Sequence, residues 1–177
     1  CCEDNNGNIW IGTFNGLNRY QKSNGRFDVY TAGHETESLT HSSIWCIVKD
    51  AQGTLWLGTY FGGVNYFNPE YEIYTRYKAS DTERDGLSSS IIGRMIEDKD
   101  GNLWICTEGG GVNVYYRKEG TFRWLRHEEG RNSISHNNVK AIYYDEKGER
   151  MWFGTHLGGL NKLDLRTNRF THYRMKE

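Results

Sequence analysis

A tryptophan returns along this chain at an almost fixed interval. Trp10, Trp56, Trp104 and Trp152 are separated by 46, 48 and 48 residues. Each stands in a variant of one phrase: IWIGTFNGLNRY from Ile9, LWLGTYFGGVNYF from Leu55, LWICTEGGGVNVY from Leu103 and MWFGTHLGGLNKL from Met151. Other columns keep the same register. Asp4, Asp50, Asp98 and Asp145 stand three residues before Gly7, Gly53, Gly101 and Gly148. Thr13, Thr59, Thr107 and Thr155 follow the tryptophans by three, and Asn18, Asn65, Asn113 and Asn161 precede Phe27, Tyr74, Phe122 and Phe170 by nine. A repeated unit of this length is one supersecondary element that cannot bury its apolar face alone, so the copies must stack.

Each unit reads as four strands. The first is apolar, as in SIWCIVKD, IIGRMIED and NVKAIYYD. An Asp-x-x-Gly turn follows, with Gly supplying the positive φ that a tight turn needs. The second strand carries the tryptophan. A Gly-rich turn leads to the third, and a polar turn to the fourth, seen in FDVY, YTRY, FRWL and FTHY. The composition agrees: Gly is abundant at 21, Pro falls to 1, and aromatics make up 14% of the chain, which favours pleated surfaces joined by turns. No long stretch has the 3.6-residue apolar period of a helix. A period in the forties with four strands per unit is the sequence signature of a β-propeller blade. The predicted fold is all-β, a β-propeller fragment of four-stranded antiparallel blades. The repeated tryptophans are expected to fill the gaps between blades, and the Thr and Asn columns to bond backbone within turns.

The phase of the repeat places blades at about 1–37 (incomplete), 38–85, 86–132 and 133–177. CCED reads as the tail of a first strand, which gives three full blades and three-quarters of another. Such an array is expected to be a piece of a larger propeller and to self-associate through its unpaired faces.

Charge narrows the functional classes. The formal net charge is −1, and no run of Lys or Arg marks a nucleic-acid or membrane surface. No apolar run is long enough to span a bilayer. Cys46 and Cys106 sit in apolar runs as small hydrophobes, and the four cysteines have no metal-site spacing. EGGG lacks the Lys-Ser/Thr of a phosphate loop, and no nucleophile elbow is present. No cofactor, metal or catalytic residue is called for. A lyase of the streptogramin-inactivating type, also built on a Trp-bearing repeat, is the enzymatic alternative, and it requires a His/Glu metal cluster. A protein-interaction propeller without small ligand is the other.

The pattern D-x-x-G-x-[LI]-W-[IL]-G-T-x-x-G-G-[LV]-N-x-[YF], followed by F-x-x-Y, resembles the two-component regulator propeller repeat over the whole chain. The resemblance implies the periplasmic sensor region of a hybrid two-component histidine kinase of Bacteroides type. It also implies that kinase, receiver and DNA-binding parts would lie outside this chain, and that an oligosaccharide controls transcription through them. No nucleic-acid or membrane contact is expected of the chain itself.

Shared columns build such a fold, so specificity is expected where the copies differ. In a propeller the turns between second and third strands share one rim with the loops before each first strand. That rim collects Tyr60, Phe61, Arg94, Glu108, Lys140 and His156 as the candidate ligand-binding set, with Phe14, Trp45, His41 and His136 nearby. Aromatic faces for sugar rings and polar groups for hydroxyls are what an oligosaccharide would need.

Overall fold

The computed structural model describes residues 1–33 and 38–174. Their strands form four separate four-stranded sheets, each an antiparallel meander in chain order. The first comprises β1 (Cys2–Glu3), β2 (Ile9–Thr13), β3 (Gly16–Gln21) and β4 (Arg26–Tyr30). The second comprises β5 (Ile44–Lys49), β6 (Leu55–Thr59), β7 (Val64–Asn68) and β8 (Ile73–Tyr77). The third comprises β9 (Ile92–Glu97), β10 (Leu103–Thr107), β11 (Gly111–Tyr116) and β12 (Thr121–Leu125). The fourth comprises β13 (Val139–Asp145), β14 (Arg150–Thr155), β15 (Gly159–Asp164) and β16 (Arg169–Tyr173). The expected inner-strand tail is a two-residue strand, with Cys2 opposite Trp10 and Glu3 opposite Ile9.

Two compact units divide the chain: Cys1–Lys78 with Ser90–Ile92, and Ala79–Ser89 with Gly93–Glu177. In the first unit the core joins two sheets: Trp10 and Leu17 of the first meet Leu55, Leu57 and Phe67 of the second, the Trp10 and Phe67 rings lying 5.3 Å apart edge to face. In the second unit Trp104, Val112 and Val114 of the third sheet meet Met151, Phe153 and Leu163 of the fourth. Trp10, Trp56 and Trp104 are buried. Trp152 is only half-buried and stacks on Tyr173 of its own sheet at 5.9 Å.

The Asp column explains the tight turn before each tryptophan. Oδ1 of Asp4 accepts the amides of Asn6 and Asn8, both at 2.9 Å, while Oδ2 accepts the Trp10 indole N–H at 2.7 Å. Asp50 and Asp98 receive Trp56 and Trp104 in the same way at 3.1 and 2.8 Å. Gly7, Gly53 and Gly101 supply the positive φ expected of them. The fourth unit departs. Its extra residue moves the positive φ from Gly148 to Glu149 (φ 49°), and Asp145 accepts the Gly148 amide at 2.9 Å.

The Thr column bonds turn backbone as expected, whereas the Asn column reaches further. Thr13, Thr59, Thr107 and Thr155 donate to the carbonyls of Gly16, Gly63, Gly111 and Gly159 and so close the middle turn. Asn65, Asn113 and Asn161 also reach beyond that turn. Their Oδ1 atoms accept the amides of Thr40, Ser88 and Ser135, tying each third strand to the loop that precedes its own sheet. Those loops also cover outer strands: Asn132 Oδ1 accepts the Phe170 amide at 2.8 Å, and the Glu83 carboxylate accepts the Trp124 amide. Edge donors that would otherwise recruit a foreign strand are thereby occupied.

Candidate functional site

The rim is built on a fixed backbone lattice. In the first unit, Gly16 N–H donates to Ser42 O at 2.8 Å, Tyr60 N–H to Ser43 O at 3.1 Å, and Ser43 Oγ to Phe14 O at 3.3 Å. In the second, Gly111 N–H donates to Asn137 O and His156 N–H to Asn138 O, both at 2.8 Å. His41 Nδ1 accepts the Ser43 amide at 3.1 Å, and His136 Nδ1 accepts the Asn138 amide at 3.0 Å. Both rings are used as loop braces, and in their neutral form each carries its proton on Nε2.

On this lattice the first strand of two sheets carries a β-bulge. The β5 register slips between Ile44 and Cys46, leaving Trp45 as the extra residue, and the β13 register slips between Val139 and Ala141, leaving Lys140. A bulge re-aims the side chain it inserts. Trp45 and Lys140 are exposed, while Ile44 and Val139 beside them are buried. Each bulged side chain meets the residue that follows the repeat threonine of the preceding sheet, Thr13 or Thr107. Trp45 lies 6.0 Å from Phe14, ring to ring, and Lys140 is ion-paired with Glu108. One architectural slot thus holds an aromatic pair in the first unit and an ion pair in the second.

The expected site residues fall in both units. Tyr60 and Phe61 belong to the first, where their rings touch at 4.4 Å and Tyr60 also lies 6.0 Å from Trp45. Arg94, Glu108, Lys140 and His156 belong to the second. There the geometry joins Glu108 to Lys140, while Arg94 and His156 stand exposed on β9 and in the turn after β14. Sequence reasoning placed Trp45 in a variable column without seeing that it is the hub of its unit's rim. The bulge that puts it there is a property of strand pairing, and the only sequence signal for it is the Trp between two small-to-medium core residues.

Hollows occur elsewhere too. One of about 190 Å³ lies among Asp4, Asn5, Gln52 and Asn68 on the Asp-turn side. Another, about 630 Å³, lies along the outer strand of the third sheet between Arg84, Tyr116, Phe122 and Arg123. Among the described residues no group of three or more His, Cys, Asp or Glu is placed to hold a metal ion.

The model of the two component regulator propeller matches four segments of the chain, residues 1–15, 38–61, 86–109 and 133–156. Among solved structures, the chain is similar to the extracellular domain of a hybrid two component system, BT3049, from B. thetaiotaomicron. The TM-score is 0.84 at 20% identity, with 98% of this chain and 24% of that one covered. The extracellular domain of the hybrid two component system BT4673 from the same organism gives 0.78 at 25% identity, covering 97% and 24%. Virginiamycin B lyase from Staphylococcus aureus gives 0.69 at 12% identity, covering 99% and 55%, a likeness of fold. The chain therefore spans about a quarter of the length of the two sensor domains. No curated protein matches it in sequence.

Proposed function

Because this chain belongs to the two-component regulator propeller family, we propose that it is a ligand-sensing segment of the extracytoplasmic, periplasmic part of a two-component sensor. Its ligand is an oligosaccharide, held through candidate residues on the rims of the two units: Tyr60 and Phe61 of the first, and Arg94, Glu108, Lys140 and His156 of the second. The signal passes to a histidine kinase outside this chain and from there to transcription. The supporting observation is the interchangeable slot. The same backbone lattice and the same bulge present Phe14 with Trp45 in one unit and Glu108 with Lys140 in the other. Side chains that build the fold repeat from sheet to sheet, whereas these change while the frame around them stays constant. That is how a scaffold carries a recognition surface. The similarity to extracellular domains of hybrid two component systems supports the same placement. Neighbouring blades of the parent protein, and a second copy of the chain, are its proposed protein partners.

Calorimetric titration of the chain against a panel of soluble oligosaccharides tests the reading. Binding that weakens about tenfold or more in Tyr60→Ala or Lys140→Ala, with an unchanged melting temperature, is the expected result. Silence across the panel from folded protein overturns the oligosaccharide assignment, and turnover of a substrate overturns the non-catalytic one.

A further inference from the structure

Within the first unit four aromatic rings run along the rim without a break: Phe14, Trp45, Tyr60 and Phe61, at successive centroid distances of 6.0, 6.0 and 4.4 Å. His41 extends the run, 5.9 Å from Phe61. The rings stand out from the surface. Phe14 is 73% exposed, Phe61 57%, Trp45 47% and Tyr60 37%. Large apolar groups clustered in water are a cost to the free protein, and their contiguity is the ordinary mark of a binding surface. The Tyr60 amide is held by the Ser43 carbonyl and the Phe14 carbonyl by Ser43 Oγ, so less ordering remains to be done on binding.

We infer that this run is a platform for the C–H faces of consecutive neutral pyranose units, which names the ligand class of the site proposed above and rests on that reading. Three features select this class. Successive rings are tilted by 50°, 39° and 71°. The wall therefore turns along its length, as a chain of sugar rings does, and offers no flat slot for a fused planar ligand. The apolar faces are edged by polar groups: the Trp45 indole N–H, the Tyr60 hydroxyl and the Nε2 side of His41, whose Nδ1 is taken by the Ser43 amide. Amphipathic rings of this kind suit a ligand that is apolar on its faces and hydroxylated at its rim. None of the four aromatic side chains in the run bears a charge. Their π faces are electron-rich and repel carboxylate and sulfate. The surface therefore favours neutral chains over uronic or sulfated ones.

The test titrates the 177-residue chain with two sets of soluble oligosaccharides. The neutral set holds cello-, xylo-, manno- and galacto-oligosaccharides of two to six units, and the acidic set holds oligogalacturonides and chondroitin oligosaccharides of matched length. The expected result is binding of a neutral member that strengthens with chain length. Trp45→Ala and Phe61→Ala should weaken it about tenfold or more, and Trp45→Phe should largely restore it. Because Trp45 is a surface side chain, an unchanged melting temperature shows that the variant is folded. Binding restricted to acidic members, lost in Lys140→Ala and indifferent to Trp45→Ala, overturns this inference while the oligosaccharide reading stands. Failure of every member to bind overturns both.

Discussion

One carboxylate in each of the first three Asp turns has two duties. It collects the turn amides on one oxygen and anchors a core indole on the other, so the turn and the core are positioned by one side chain. The Asp and Trp columns are both plain in the sequence, but their bond is not, because six residues of separation mean contact only once the hairpin has closed. The fourth copy, with seven, has a half-buried Trp152 instead. Truncating Trp56 to Ala should therefore cost about 3–5 kcal/mol, and Trp152→Ala about half that or less. Denaturant unfolding of the two variants checks the contrast, and equal costs would contradict it. Asp4 adds a dependence on acid. Burial pushes its carboxyl up, but hydrogen bonds from Trp10, Asn8 and Asn6 together outweigh this and hold it below the usual carboxylate range. Its folded pKa is thus below the unfolded value of about 3.9. The unfolded chain binds more protons between the two values, so this contribution is complete above about pH 5 and lost as the pH falls through the folded pKa. Melting temperatures between pH 2.5 and 6 should fall more steeply for the native chain than for Asp4→Asn, and parallel curves would contradict this assignment.

Four strands per repeat, their order and the turns between them can be read from the period and from Gly and Asp placement, because those choices are local. Register is not local. The bulges at Trp45 and Lys140 arise from how β5 and β13 pair with β6 and β14, and they decide which side chains reach the rim. The Glu149 turn was hidden for a similar reason: one inserted residue shifts the strained position past the glycine the pattern had marked. The glycines of the middle turns show how the backbone can be tested. Gly63 has φ 76°, and a Cβ there would run into the Tyr77 carbonyl. Gly109 has φ 81° with open space around it. Gly109→Ala should cost only the left-handed penalty of about 1–2 kcal/mol. Gly63→Ala should cost that plus about 1–3 kcal/mol of overpacking. Chemical denaturation of both variants separates the contributions, and a smaller loss for Gly63→Ala would mean the turn can shift as a body.

At the scale of the whole molecule the two faces of a sheet are not equivalent. In the first unit the Trp10 face of the first sheet is buried on the second, and in the second unit the Trp104 face of the third sheet is buried on the fourth. The corresponding face of the fourth sheet carries Tyr143, Trp152, Leu160 and Tyr173, as the cross-strand pairs show. Among the described residues it remains open, with Tyr143 at 64% exposure. The first sheet has the complement. Ile9, Tyr20 and Phe27 lie opposite one another, as do Ile11, Asn18 and Val29, on the face that matches the one presented by Phe153 and Leu163 to Trp104. Phe27 and Val29 are exposed there. A Trp-type face and its counterpart, both exposed, can satisfy each other between copies, in a heterologous contact. A net charge of −1 offers little repulsion against it. Light scattering should accordingly show a mass rising with concentration above 20.6 kDa. A lysine at either face, Tyr143→Lys or Val29→Lys, should suppress the rise by placing a charge in the contact, and mixing these two variants should not restore a closed pair with both faces intact. A mass that stays at 20.6 kDa up to about a hundred micromolar would show that these faces are tolerated in water. A rise that neither lysine suppresses would place the contact elsewhere on the molecule.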